Sequence, residues 1–135
     1  MASIYRQLEL AVPAAHAWAA LADVGALHTR LVQGFVTNTT LEGNDRLVTF
    51  ANGMTATERI VSVDHANMRV SYTVVGGRAA HHNAAVQVHA VDESTCVLVW
   101  VTDLLPDDLA GPIGGMVDAG AAAMKRTLEA SHPLT

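Results

Sequence analysis

Between Phe35 and Leu105 the apolar residues recur at every second position, in short runs closed by turn residues. Nothing else in the chain limits its fold as strongly. A period of two puts alternate side chains on opposite faces of a strand, so each run presents one face to a core. The runs are Phe35 to Leu41, Arg46 to Ala51, Met54 to Val63, Met68 to Val75, 80 to 91 and Thr95 to Leu105. Between them lie Glu42-Gly43-Asn44-Asp45, Asn52-Gly53, Asp64 to Asn67, Gly76-Gly77 and Asp92-Glu93-Ser94. Connections this short join antiparallel neighbours. Asn52-Gly53 reads as a two-residue type I′ hairpin, with positive φ at both central residues.

The flanks have a different period. Residues 3 to 12 alternate around Ile4, Leu8, Leu10 and Val12 and read as one more strand. Pro13 ends that strand and can open a helix. The Ala-rich stretch 14 to 22 is strong helix material, broken by Asp23 and Gly25. Residues 26 to 31 allow a second short helical turn. After Pro106, Asp107 and Asp108 suit a helix N-terminus. Ile113, Val117, Gly120, Met124 and Leu128 then recur at steps of three and four, one face of a long helix that His132-Pro133 ends. Gly114 and Gly115 read as part of a frayed start, with Gly111-Pro112 still loop. The order predicts an α+β domain over residues 1–135: about seven antiparallel strands and a long C-terminal helix. A sheet curved around that helix can leave a hollow between them.

Composition narrows the partners. Half of the 135 residues are apolar and 16% are charged, which excludes intrinsic disorder. A net charge of −5 excludes a nucleic-acid binder driven by a basic surface. Cys96 is the sole cysteine, so no intrachain disulfide and no multi-cysteine metal site is expected. No apolar run approaches a membrane span, and the N-terminus has no apolar signal core. The expectation is a cytoplasmic protein with no stable membrane insertion.

Four stretches carry a family resemblance. They are Ala11 to Asp23 with Pro13 and Trp18, Met54 to Ile60 with Glu58-Arg59, Val70 to Val74 with Tyr72, and Val97 to Trp100 followed by Pro106. In this order and spacing the chain, from Ser3 to Ala130, resembles the Bet v 1-like or START-like (SRPBCC) superfamily. The nearest group is the bacterial polyketide cyclase/dehydrase and lipid-transport proteins. The resemblance implies a helix-grip fold: a curved antiparallel sheet wrapped around a long C-terminal helix, with two short helices after the first strand. It also implies a cavity between sheet and helix that holds an apolar small molecule. It implies no single reaction, so function rests on the site. His82 stands where many relatives carry Tyr, and the acid, hydroxyl and Arg constellation proposed for aromatase/cyclases is not recognisable.

Strand parity selects the candidate residues. On 80 to 91, His82, Ala84, Val86, Val88 and Ala90 form the more apolar class, so His82 is expected to face the cavity and His81 to face out. Such a pair diverges and suits no metal, and no HxH, HExxH or CxxC pattern is present. No metal and no cofactor is called for. On Met54 to Val63 periodicity leaves the direction of Glu58 open; the resemblance places it inward. An inward carboxylate has a raised pKa unless a cation or donors compensate it, and His82 is a candidate partner. Glu58 and His82 are thus candidate ligand contacts or an acid/base pair, with a structural salt bridge at Glu58 as the plain alternative. The last strand is open: either Leu98, Trp100, Thr102 and Leu104 face in, or Val99, Val101, Asp103 and Leu105 do. The expected ligand-binding set is Ala56, Glu58, Tyr72, His82, Ala84 and Trp100 from the strands. Met116, Val117, Gly120 and Met124 join it from the helix.

The sequence therefore predicts a carrier or binder of a lipid, polyketide or isoprenoid-like molecule. The alternative is a polyketide cyclase or dehydratase using Glu58 and His82. A third is a ligand-switched interaction module gated by the loop around Gly76 to Ala80.

Overall fold

A computed structural model describes residues 2–132. Strand β1 (Ala2–Leu10) leads into helix α1 (Ala14–Ala22) and a π-helical turn (Leu27–Leu31). Then come β2 (Val36–Glu42), β3 (Asp45–Phe50), β4 (Thr55–Asp64), β5 (Arg69–Val75), β6 (His81–Ala90) and β7 (Cys96–Leu105). A 3-10 turn (Asp107–Leu109) precedes helix α2 (Ala110–Ser131). The seven strands form one antiparallel sheet in the order β1-β7-β6-β5-β4-β3-β2. This is the helix-grip architecture, and the expected element order holds throughout.

The inward face of each strand follows the alternation. On β6, Ala84, Val86 and Val88 are buried; on β7, Cys96, Leu98, Thr102 and Leu104 are. Helix α1 buries Ala14, Ala17, Ala20 and Leu21, the i, i+3, i+4 spacing of one face. Helix α2 buries Val117, Gly120, Ala121, Met124 and Leu128. Side chains fasten it at several points. Arg6 donates to Asp118, Glu129 accepts the Ala11 N–H at 2.9 Å, and Thr127 Oγ1 accepts the Gln33 N–H at 3.0 Å.

Three details differ from the expectations. The β3–β4 connection is longer than a two-residue turn. Thr49 pairs with Thr55, Gly53 N–H donates to Phe50 O at 2.9 Å, and Gly53 alone in the loop has positive φ (+87°). That pattern is a three-residue loop closed by a left-handed glycine. It places Arg46, and not Leu47, opposite Glu58. Second, β4 carries a bulge between Ile60 and Ser62, so Val61 turns out, 66% exposed, and Val63 joins the core. One parity class does not hold along the whole strand. Third, Gly111, Pro112, Gly114 and Gly115 all lie inside α2. Proline is tolerated in a first helical turn, where its missing N–H has no intrahelical acceptor. The helix ends at Ser131, and His132 is extended; Pro133 lies outside the described residues.

Candidate functional site

A cavity of about 290 Å³ lies between the inner face of the sheet and α2. Its wall is largely apolar, with Leu27 and Leu31 of the π-helical turn at one side and Val117 and Met124 of α2 across from the strands. At its rim lie Met54 and Thr55, Gly76 to Ala79, and Pro112 and Ile113 at the start of α2. Gly76 and Gly77 hold φ of +73° and +82°, a conformation side chains rarely adopt, so the β5–β6 loop depends on both.

Most of the expected set meets at this cavity. Ala56, Glu58, Tyr72, His82 and Trp100 line it from the strands, and Met116, Val117 and Met124 from α2. Ala84 and Gly120 do not. Ala84 is on the inner face, but its methyl is 2% exposed between its cross-strand partners Tyr72 and Thr102. Gly120 leaves no space for a ligand: a Cβ there would sit 3.1 Å from Trp100 and 3.2 Å from Phe35. The glycine lets the indole pack against the helix. On β7 the class of Leu98, Trp100, Thr102 and Leu104 faces in. Asp103 faces out and accepts a hydrogen bond from Ser3 Oγ at 2.6 Å. His81 is exposed and bonded to Asn83, while His82 faces the cavity.

The polar chemistry gathers on β3 to β7. Glu58 is buried, and its partner is Arg46, whose Nε donates to Glu58 Oε1 at 2.7 Å. The expected pairing with His82 is therefore corrected: no hydrogen bond joins them, and the Glu58 charge reaches His82 only through space. Arg46 also donates to Val24 O at 3.3 Å and lies over the Tyr72 ring, 5.1 Å from its centroid. Sequence reasoning passed over Arg46. The signal was present, since Arg46 shares parity with buried Val48, but it needed the correct hairpin register.

Burial pushes the Tyr72 phenol well above its ordinary range, helped by the nearby Glu58 carboxylate and opposed by Arg46. Tyr72 thus stays protonated at any physiological pH. Burial also lowers the His82 pKa, the Glu58 charge opposing it, so the neutral imidazole is favoured. The Trp100 indole acts on the Tyr72 phenol, yet its buried Nε1–H has no hydrogen-bond partner among the described residues. Burial raises the pKa of Cys96, which belongs to the core and offers no activated thiolate. Among the described residues no group of three or more His, Cys, Asp or Glu converges as a metal site.

The family model for polyketide cyclase/dehydrase and lipid transport matches residues 1–131. The chain belongs to this family. No curated protein sequence matches it. Solved structures share the fold at low identity. A START superfamily protein from Mycobacterium smegmatis superposes with a TM-score of 0.80 at 9% identity, covering 96% of this chain and 99% of that one. A point mutant of norcoclaurine synthase from Thalictrum flavum, in complex with a transition-state analogue, gives 0.72 at 19%, covering 94% and 93%. The di-domain ARO/CYC BexL from the BE-7585A biosynthetic pathway gives 0.81 at 18%, covering 98% of this chain and 48% of that one. This polyketide cyclase/dehydrase and lipid transport family member thus has the START and Bet v 1-like fold. No described helix is long and apolar enough to cross a membrane.

Proposed function

We propose that this protein binds and carries a hydrophobic small molecule, a lipid, polyketide or isoprenoid-like compound, as one cytoplasmic ligand-binding domain. The observation that carries the reading is the apolar cavity under α2, with its polar groups on the β3–β7 wall and Arg78 at the rim. Small-molecule sites have this makeup: an apolar enclosure with a few placed polar groups. The expected contacts are Ala56, Glu58, Tyr72, His82, Trp100, Met116, Val117 and Met124. The test is native mass spectrometry of freshly purified protein, followed by solvent extraction. A stoichiometric small-molecule adduct is expected. An apo protein that also retains no apolar probe overturns the reading.

A second reading, proton transfer on a polyketide-like substrate, has one observation in its favour. His82 lines the cavity, and its burial favours the neutral, proton-accepting form. Glu58, already bonded to Arg46, then serves to hold the local charge and does not act as a free base. His82→Ala should abolish turnover while retaining ligand; full activity in that variant removes the reading.

A further inference from the structure

We propose that the cavity selects an apolar molecule bearing one neutral carbonyl-type acceptor, which takes hydrogen bonds from Trp100 Nε1–H and the Tyr72 hydroxyl. This inference rests on the ligand-binding reading above and names the chemistry of its ligand.

The argument begins with unmet hydrogen bonds. An indole N–H can only donate. Buried polar groups in folded proteins almost always find partners, so an orphan calls for an explanation. Trp100 Nε1 is such an orphan, on a side chain that lines the cavity. The Tyr72 hydroxyl has the Trp100 indole as its near polar neighbour, and its own O–H reaches no acceptor among the described residues. Tyr72 stands on the rung with Ala84 and Thr102, and Trp100 two rungs on with Val86 and Val70. Both side chains therefore face inward, two strands apart. The phenol is held protonated, which keeps it a donor.

The charge balance then places a neutral group at these two donors. The buried wall holds one cation and one anion, Arg46 and Glu58, and each already has the other at 2.7 Å. The cavity's other cation, Arg78, lies exposed at the rim, so a carboxylate seated at Trp100 and Tyr72 would meet no unpaired cation in the buried wall, and an ammonium no unpaired anion. Burying a charge in that way is costly. His82 leans to the neutral form and adds no cation. Two donors short of acceptors, no idle charge in the buried wall and an apolar remainder fit a ketone, aldehyde or ester oxygen on a hydrocarbon body.

The experiment is displacement of the neutral fluorophore N-phenyl-1-naphthylamine from the full chain by 2-undecanone, undecane and undecanoate. The ketone should displace it at about five- to thirtyfold lower concentration than the alkane, the worth of one to two net hydrogen bonds. Undecanoate, whose carboxylate can meet an unpaired cation only at Arg78 on the rim, should bind equally well to wild type and to Trp100→Phe and Tyr72→Phe. Trp100→Phe keeps an aromatic body and removes the N–H, so it should remove part of the ketone's preference over the alkane. Tyr72→Phe should remove part of the preference on a different strand, which keeps the test sound if one variant folds poorly. Equal binding of ketone and alkane by the wild-type chain overturns the inference. So does a preference that survives undiminished in both variants. If the fluorophore and all three compounds stay out of the wild-type protein, the ligand-binding reading itself fails and takes this inference with it.

Discussion

Two ion pairs occupy adjacent rungs of the β3–β4 hairpin. Arg46 meets Glu58 on one rung, and Asp45 meets Arg59 on the next. The chemistry is nearly the same, an arginine Nε on a carboxylate oxygen, at 2.7 Å and 2.9 Å. The pleat sends one pair inside and the other outside. The side chains of Arg46 and Glu58 are 6% and 11% exposed; those of Arg59 and Asp45 are 53% and 27%. The inner pair has lost its water and depends on its partner. The outer pair keeps water as an alternative for each member. The comparison teaches that a polar group beside this cavity must be judged by what it lacks. Glu58 already has its counter-charge at Oε1 and acts as structure, whereas Trp100 and Tyr72, three strands and one strand along, have donors to spare.

The largest expected effect follows from removing one member of the inner pair. Glu58→Gln leaves the Arg46 guanidinium buried without its counter-charge, and breaking such a pair costs about 3–5 kcal/mol. Urea denaturation should show that loss as a fall in midpoint at constant slope. Replacing both, Arg46→Met with Glu58→Leu, removes the desolvation problem along with the attraction, so most of the stability should return. If the double variant is as unstable as the single one, the pair contributes through its contacts to Val24 and Tyr72, and its charge is secondary.

The register of this hairpin also marks the limit of what was legible in the sequence. The meander, the long helix and the inward class of β6 follow from periodicity, and α1 from its run of alanines. Arg46 does not, because its facing partner depends on one residue of loop length. A two-residue turn at Asn52-Gly53 sets Leu47 against Glu58; the three-residue loop sets Arg46 there. A shift of one residue exchanges every facing pair. The β4 bulge has the same effect on parity at Val61, and no residue type in that run announces it. Gly120 was legible as a position needing space. Only the packed structure shows that an indole and Phe35 occupy that space.

Gly120 supplies the next largest effect. Alanine is the better helix former by about 1 kcal/mol, but its Cβ here would crowd Trp100 and Phe35. Overpacking costs about 1–3 kcal/mol, so Gly120→Ala should be destabilising on balance. It should also push the indole towards the cavity and weaken ligand retention. Gly115→Ala is the control on the same helix. Nothing lies within 4 Å of that Cβ, so it should gain stability. A stabilising Gly120→Ala would show that Trp100 has slack, and the tight inner wall would need revision.

A smaller effect concerns His82. Its pKa is lowered in the folded state, so the unfolded chain binds the proton more readily. Stability is therefore full above the unfolded pKa of about 6.5 and declines as pH falls through the depressed folded value. Midpoints at about pH 7.5 and about pH 5 should differ less in His82→Gln than in the wild-type chain. An unchanged difference would assign the acid sensitivity to other groups.

The smallest effect is expected on the outer rung, and it tests the comparison most directly. Arg59 holds the Asp45 carboxyl below the usual carboxylate range through its hydrogen bond. Any stabilisation from that pair is present above about pH 3.9 and lost as pH falls through the lowered folded value. Both side chains face solvent, where water and salt replace the partner readily. Asp45→Asn should leave the urea midpoint at neutral pH within experimental scatter, and added salt should shift wild type and variant alike. The same change of acid to amide, one rung away at Glu58, should cost most of the protein's margin of stability. If the two substitutions prove equally harmful, burial does not separate these pairs. The case for reading Glu58 as structure, with the idle donors of Trp100 and Tyr72 as the ligand's contacts, would then lose its footing.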